Sequence, residues 1–198
     1  MIRILFAAVA LAVSTMAASP ALAGWNLIER NQPVSVAQNT LSVTPREQWN
    51  QWTRRPIRKS EVWTRDGVSL NQIYFVAALA PGETLFKDVA KKDRPLPKLG
   101  GSLQLTDIPD FFESSIRISL NTSVFELTGI EPATFAGRPG VKFTFEYAVE
   151  GTALRQRGMA AGTLVGDALY LIAYTAPSVF YYDRDLAEAE AIIASAAM

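Results

Sequence analysis

Val141-Lys-Phe-Thr-Phe-Glu-Tyr-Ala-Val149 places an apolar side chain on every second residue, the period that lines one face of a pleated strand. Glu150-Gly151 follows as a turn containing a residue tolerant of positive φ. Thr152 to Val165 runs back, and Gly166-Asp167 returns the chain into Ala168 to Thr175. Three antiparallel strands result. With two-residue turns at both ends, counting sets the register: Tyr147 faces Leu154 and Glu146 faces Arg155, while Gly162 faces Leu171 and Ala160 faces Ala173. One face then carries Phe143, Phe145 and Tyr147, a shallow strip of Gly158, Ala160 and Gly162, and Leu169 and Leu171. Missing side chains let another backbone approach closely, so the strip predicts a seat for a helix, and the last helix, through Leu186 and Ile193, is the expected occupant. The other face mixes Lys142, Glu146, Arg155, Arg157, Met159, Tyr170, Ile172 and Tyr174.

Working outward, Val34, Val36, Leu41 and Val43 alternate around Gln38-Asn39 as a small hairpin closed by Pro45. Arg46 to Arg58 sets Trp49 and Trp52 among polar and basic residues, a pattern that suits one helical turn or an irregular loop. Glu61 to Thr64 and Val68 to Leu79 predict a second hairpin about Asp66-Gly67, a favoured turn pair. Lys87 to Gly101, with its lysines, prolines and Gly-Gly pair, is expected to be an exposed loop. Thr106 or Asp107 then caps a helix whose Ile108, Phe111, Phe112 and Ile116 share a face. Ser123 to Ile130 predicts a strand and Glu131 to Gly140 a loop. Asp183 and Asp185 open the last helix, with Leu186, Ala189, Ile193 and Ala196 on one side.

The first 23 residues have the form of a secretory signal: a cationic start at Arg3, an apolar run from Ile4 to Val13, and Ala21-Leu22-Ala23 as a small-residue cleavage site. The run is shorter than the roughly 20 residues that span a bilayer. Removing 23 of 198 residues leaves 175, a single α+β domain from Gly24 onward, expected to be soluble and exported to the periplasm or the extracellular space. Arg3 is the only one of 19 basic residues in the signal, so 18 remain against 19 acidic ones. That balance, with no basic tail, argues against nucleic acid as a partner.

The order of elements resembles the Mog1/PsbP-like superfamily. The residues that carry the resemblance are Leu41-Ser-Val43 with Pro45 and Trp49, the Trp63-Thr64 hairpin, Leu169-Tyr-Leu-Ile-Ala-Tyr174, and the alanine-rich last helix. The resemblance implies a central antiparallel sheet with helices on both faces, and a non-catalytic binding or assembly role.

The chemistry of the chain is defined by what it lacks. Without histidine or cysteine there is no Ser-His-Asp triad, thiol nucleophile, disulfide or zinc-thiolate site, and no metal or cofactor is expected. Asp107, Asp110 and Glu113 cluster, but acids in a first helical turn complement the helix dipole. Trp49 and Trp52, beside Arg54, Arg55 and Arg58, form the candidate partner surface, because Trp and Arg dominate binding hot spots. Arg155 and Arg157 are candidate ligand anchors, with a cross-strand pair of Arg155 and Glu146 as the plainer role. The function expected is an exported binding or assembly factor of the cell envelope, its partner an envelope protein or a small ligand. The alternatives are a carboxylate-based envelope enzyme, which needs two acids facing each other in a cleft, and a carrier of a small apolar ligand held between sheet and helix.

Overall fold

The computed structural model describes residues 24–38, 40–149, 151 and 154–198. The expected signal, residues 1–23, lies outside them, as do Asn39, Glu150 and Thr152 of the expected turns. Among the described residues ten strands and two α-helices follow in order, with one 3-10 turn (Leu105–Asp107) leading into the first helix: β1 (Trp25–Ile28), β2 (Val34–Val36), β3 (Leu41–Val43), β4 (Trp49–Trp52), β5 (Ser60–Thr64), β6 (Gln72–Leu79), α1 (Ile108–Leu120), β7 (Phe125–Phe135), β8 (Arg138–Ala148), β9 (Arg155–Val165), β10 (Ala168–Pro177) and α2 (Tyr181–Ala194). Eight strands form one antiparallel sheet in the order β1-β4-β5-β6-β10-β9-β8-β7, and β2 and β3 form a separate hairpin. α1 packs on one face and α2 on the other.

The meander β8-β9-β10 is the middle of the long half of the sheet. Gly162 pairs with Leu171 and Ala160 with Ala173, as counting predicts. Across the first turn the register differs: Tyr147 faces Gln156 and Glu146 faces Arg157. The connection from Val149 to Leu154 is longer than a two-residue turn, which slides the partner by two residues. A slip of two preserves the side-chain period, so each residue keeps its expected face.

The occupant of the glycine strip is not the last helix. Phe143, Phe145, Ala160 and Leu171 belong to the core under α1, whereas α2 sits over Met159, Ala161, Ile172 and Tyr174 on the opposite face. The strip is filled from within the sheet, because the Phe145 ring lies across Gly158, where an added Cβ would stand 2.2 Å from it. Leu186 and Ile193 are partly buried at the flanks of α2, and Tyr182, Asp185, Glu188, Ala189 and Ile192 are its buried residues.

α1 follows its pattern. Ile108, Phe111, Phe112 and Ile116 are buried, Pro109 lies in the first turn, and Asn121 ends the helix in the left-handed region at φ 52°. Asp107 stands at the N-cap of α1, but its side chain makes no capping bond to that helix; its carboxylate instead accepts the Gln104 backbone N–H at 2.9 Å across the 3-10 turn Leu105–Asp107. Downstream, β7 runs on through Glu131 to Phe135, which the two prolines had marked as loop. Pro132 is tolerated because β7 is the edge of the sheet, and Pro139 lies beyond the first β8-β9 pair at Val141. Ala136 and Gly137, both at positive φ, make the turn. A bulge between Leu127 and Gly129 re-aims the strand. Phe125 consequently joins the α1 core and Phe135 the α2 core.

The Asp66-Gly67 turn is the tip of a longer loop, residues 65–71. Gly67 has φ 116°, as expected, but the loop is organised by Asn71, whose side-chain oxygen accepts the backbone N–H of Arg65 (2.8 Å) and of Asp66 (3.2 Å). The segment Lys87 to Gly101 is irregular, as expected, and is pinned by buried Leu96 and Leu99.

Candidate functional site

The segment with the two tryptophans is a strand, β4, and strand geometry sends alternate side chains to opposite faces. Trp49 points to the α2 face and is fully buried, its indole N–H donating to Glu188 Oε1 at 3.4 Å. It is a core residue. Trp52 points to the α1 face, where it is half-buried and stacks on Trp25 at 6.4 Å between ring centroids. Arg54, Arg55 and Arg58 follow as exposed side chains, and none makes a salt bridge among the described residues.

Trp52 stands at the mouth of a groove of about 510 Å³ between the sheet and α1. The floor is Val62 on β5, Tyr74 on β6 and Ala173 on β10. One wall is Phe112, Ile116 and Leu120 on α1, and the other is Trp52, Pro56 and Val68. Leu154 (49% exposed) and Val68 (43% exposed) sit at the rim. The groove exists because α1 covers the sheet unevenly. Phe112 packs on Phe143 and Phe145 at 5.4 and 4.9 Å between ring centroids, over the long strands, while no helix of the described residues lies above the half towards β4.

At one end of the floor, strand register gathers uncharged polar groups. Gln72 pairs with Thr175 and Gln156 with Tyr147, and all four line the groove with Ser69 and Ser119. The side-chain amides of Gln72 and Gln156 make no hydrogen bond to another described residue. Burial pushes the Tyr147 and Tyr74 phenols up, against the hydrogen bonds that Thr175 and Ser60 offer them. Both stay protonated near neutrality. No Asp, Glu, Lys or Arg is among the described lining residues.

The other expected site residues have structural work. Arg157 lies 3.4 Å from Glu146 and 3.2 Å from Asp183, with its guanidinium 4.3 Å from the Tyr182 ring centre, so it fastens α2 to β9 and β8. Arg155 is exposed and only 4.0 Å from Glu146. Both lie on the α2 face, away from the groove. Glu113 pairs with Arg117 at 2.6 Å, and Asp107 accepts from the Gln104 backbone N–H. The buried carboxylates Glu61, Asp185 and Glu188 belong to the α2 face: Glu61 accepts from Trp63 Nε1 (2.6 Å) and Ala37 N (3.2 Å), and Asp185 from Arg65 (2.9 Å) and Asn71 (2.8 Å). Among the described residues no group of three or more His, Cys, Asp or Glu could hold a metal ion. None of their helices is long and apolar enough to cross a membrane.

Sequence reasoning named Trp52, which lines the groove, and missed its neighbours there. Leu120 stands one helical turn past Ile116, at the i+4 step that extends the apolar face of α1, and that spacing was the available signal. Trp25, outside the expected elements, carried no periodic signal.

No family model matches the chain, and no curated protein matches it by sequence. Solved structures do. Cyanobacterial PsbP (CyanoP) from Synechocystis sp. PCC 6803 aligns with a TM-score of 0.52 at 15% identity, covering 91% of this chain and 97% of its own. The Ran-binding protein Mog1p of Saccharomyces cerevisiae gives 0.48 at 12% identity, covering 84% and 94%. LpqN, involved in cell envelope biogenesis of Mycobacterium tuberculosis, gives 0.33 at 8% identity, covering 87% and 89%. The match to the PsbP structure over nearly the whole of both chains, with a helix on each face of one antiparallel sheet, gives this chain the Mog1/PsbP-like fold.

Proposed function

We propose that this chain is an exported, non-catalytic binding or assembly factor of the cell envelope, and that it engages its partner at the mouth of the groove beside α1. The observation that carries this reading is the placement of Trp52: a half-buried indole at the rim of an apolar concavity, followed by three exposed arginines that make no salt bridge among the described residues. Such a surface suits a protein that inserts an apolar side chain and flanks it with acidic ones. Export rests on residues 1–23, with cleavage after Ala23. The non-catalytic reading rests on a composition without histidine or cysteine and on a groove lined by uncharged side chains.

The test is recovery of envelope proteins on the tagged mature chain, comparing wild type with Trp52→Ala and with an Arg54, Arg55 and Arg58 triple charge reversal. An anchor tryptophan typically costs about 2 kcal/mol or more of binding when truncated, roughly a thirtyfold loss of affinity. A protein recovered by wild type and lost from both variants, each of them still unfolding cooperatively, is the expected result. Identical recoveries overturn the reading.

A further inference from the structure

The interior of the groove has a chemistry of its own, and that chemistry selects a ligand. Its volume of about 510 Å³ falls in the range that holds one small organic molecule. No charged side chain is among the described lining residues, and a charged group entering such a space gives up its hydration without a counter-ion from them in return. Apolar side chains line both walls, Trp52 on one and Ile116 and Leu120 on the other, and Val62 continues them on the floor. At one end Gln72, Thr175, Gln156 and Tyr147 converge, and the two glutamine amides have no partner among the described residues. Both can donate and accept.

We infer that the groove binds a neutral amphiphilic small molecule, with a ring or alkyl body against Trp52 and Ile116 and one uncharged hydroxyl, amide or carbonyl group between Gln72 and Gln156. The occupant's polar end must be neutral because the end of the groove offers amides and hydroxyls instead of an arginine or lysine. Ala173, small and buried at the floor, sets the depth available to the body. This assignment deepens the binding reading of the same groove and rests on it.

The experiment uses the mature protein and an uncharged fluorophore, N-phenyl-1-naphthylamine. Saturable enhancement of its emission is expected. Displacement by 1-decanol should require at least about tenfold less competitor than displacement by decanoate or decyltrimethylammonium at pH 8, because both ions carry a charge that the groove cannot pair. Leu120→Glu, on the half-buried last turn of α1, should weaken the probe about tenfold or more with an unchanged melting midpoint. Ala173→Leu should do the same by filling the floor. Lack of saturable binding by wild type overturns the inference, as does decanoate competing as well as decanol, or full binding by Leu120→Glu. The wild-type competition decides the matter even where Ala173→Leu fails to fold. Recovery of a Trp52-dependent envelope protein without probe uptake leaves the proposed function standing and overturns this ligand class. Probe uptake without such a protein supports the ligand class and overturns the assembly reading.

Discussion

The two faces of the sheet each carry one helix, yet only one is sealed. On the α2 face, apolar packing is joined by directional ties: Glu188 accepts the backbone N–H groups of Arg46 (2.8 Å) and Glu47 (3.1 Å), and Asp185 holds Arg65, Asn71 and Arg184. The β2-β3 hairpin is closed onto the end of the chain by Ser42 and Ala197, each donating its N–H to the other's carbonyl at 2.9 Å. On the α1 face the cover is an aromatic cluster around Phe112. Apolar attraction is non-directional, so it covers the sheet where the helix lies and leaves a concavity where the helix stops. The contrast teaches that buried carboxylates, costly unless hydrogen-bonded, locate loops here, while the face without them keeps space for another molecule.

The contrast can be broken first at β4, whose two tryptophans serve opposite faces. Trp49→Ala should cost about 3 to 5 kcal/mol and Trp52→Ala about 1 kcal/mol, read as denaturant midpoints at constant slope. Equal losses would mean that both faces are sealed alike. A second, smaller effect is expected under α1. Gly158→Ala forces the Phe145 ring off the strand, at about 1 to 3 kcal/mol, and the cost should shrink in a Phe145→Leu background because the clashing atoms are gone. An additive double mutant would remove the account of the strip given above.

The smallest effect concerns acid. Desolvation pushes the Asp66 carboxyl up, but hydrogen bonds and charge from Arg184, with Asn71 and Arg65, outweigh it and hold the group below its ordinary value. A depressed carboxylate contributes stability that is fully present above its unfolded pKa, about 3.9, and is lost as pH falls through the folded value. Wild type should therefore lose more stability than Asp66→Asn between about pH 4 and pH 2, measured as urea midpoints. The difference should be modest, since the pair is solvent-screened. Parallel curves would show that the Asp66–Arg184 contact does not tie this end of α2 to the 65–71 loop.

The long-strand half of the fold was legible because its signals are local and periodic. Phe143, Phe145 and Tyr147 alternate, and Ile108, Phe111, Phe112 and Ile116 recur at helical spacing; both patterns were read onto the correct faces of their elements. Which helix covers which face is a long-range fact, and two alternating faces that both carry apolar side chains do not encode it. The strip of Gly158, Ala160 and Gly162 was misassigned for that reason: the missing volume is taken by a cross-strand ring, and a ring on the neighbouring strand leaves no trace in spacing. Trp49 and Trp52 were read together as one surface because four residues are too few to establish a period of two. Asp185 was read as a helix-dipole acid, since its partners Arg65 and Asn71 lie over a hundred residues earlier. The groove is a joint property of α1's length and the bare half of the sheet, so it belongs to no segment that could be read alone.

The bulge at Leu127 and Gly129, met above as the device that sends Phe125 and Phe135 to different faces, also governs how copies of this chain meet. β7 is an eleven-residue outer strand, long enough to recruit the edge of a neighbour. Its ladder is interrupted by the bulge, Pro132 lacks an N–H, and Glu126 and Glu131 are exposed along it. Outer strands with such features resist edge-to-edge joining, and β1, at the opposite edge, is only four residues long. The sheet is thereby guarded against merging with a second copy, which lets a protein carrying an open apolar concavity be concentrated without its sheets growing into fibres.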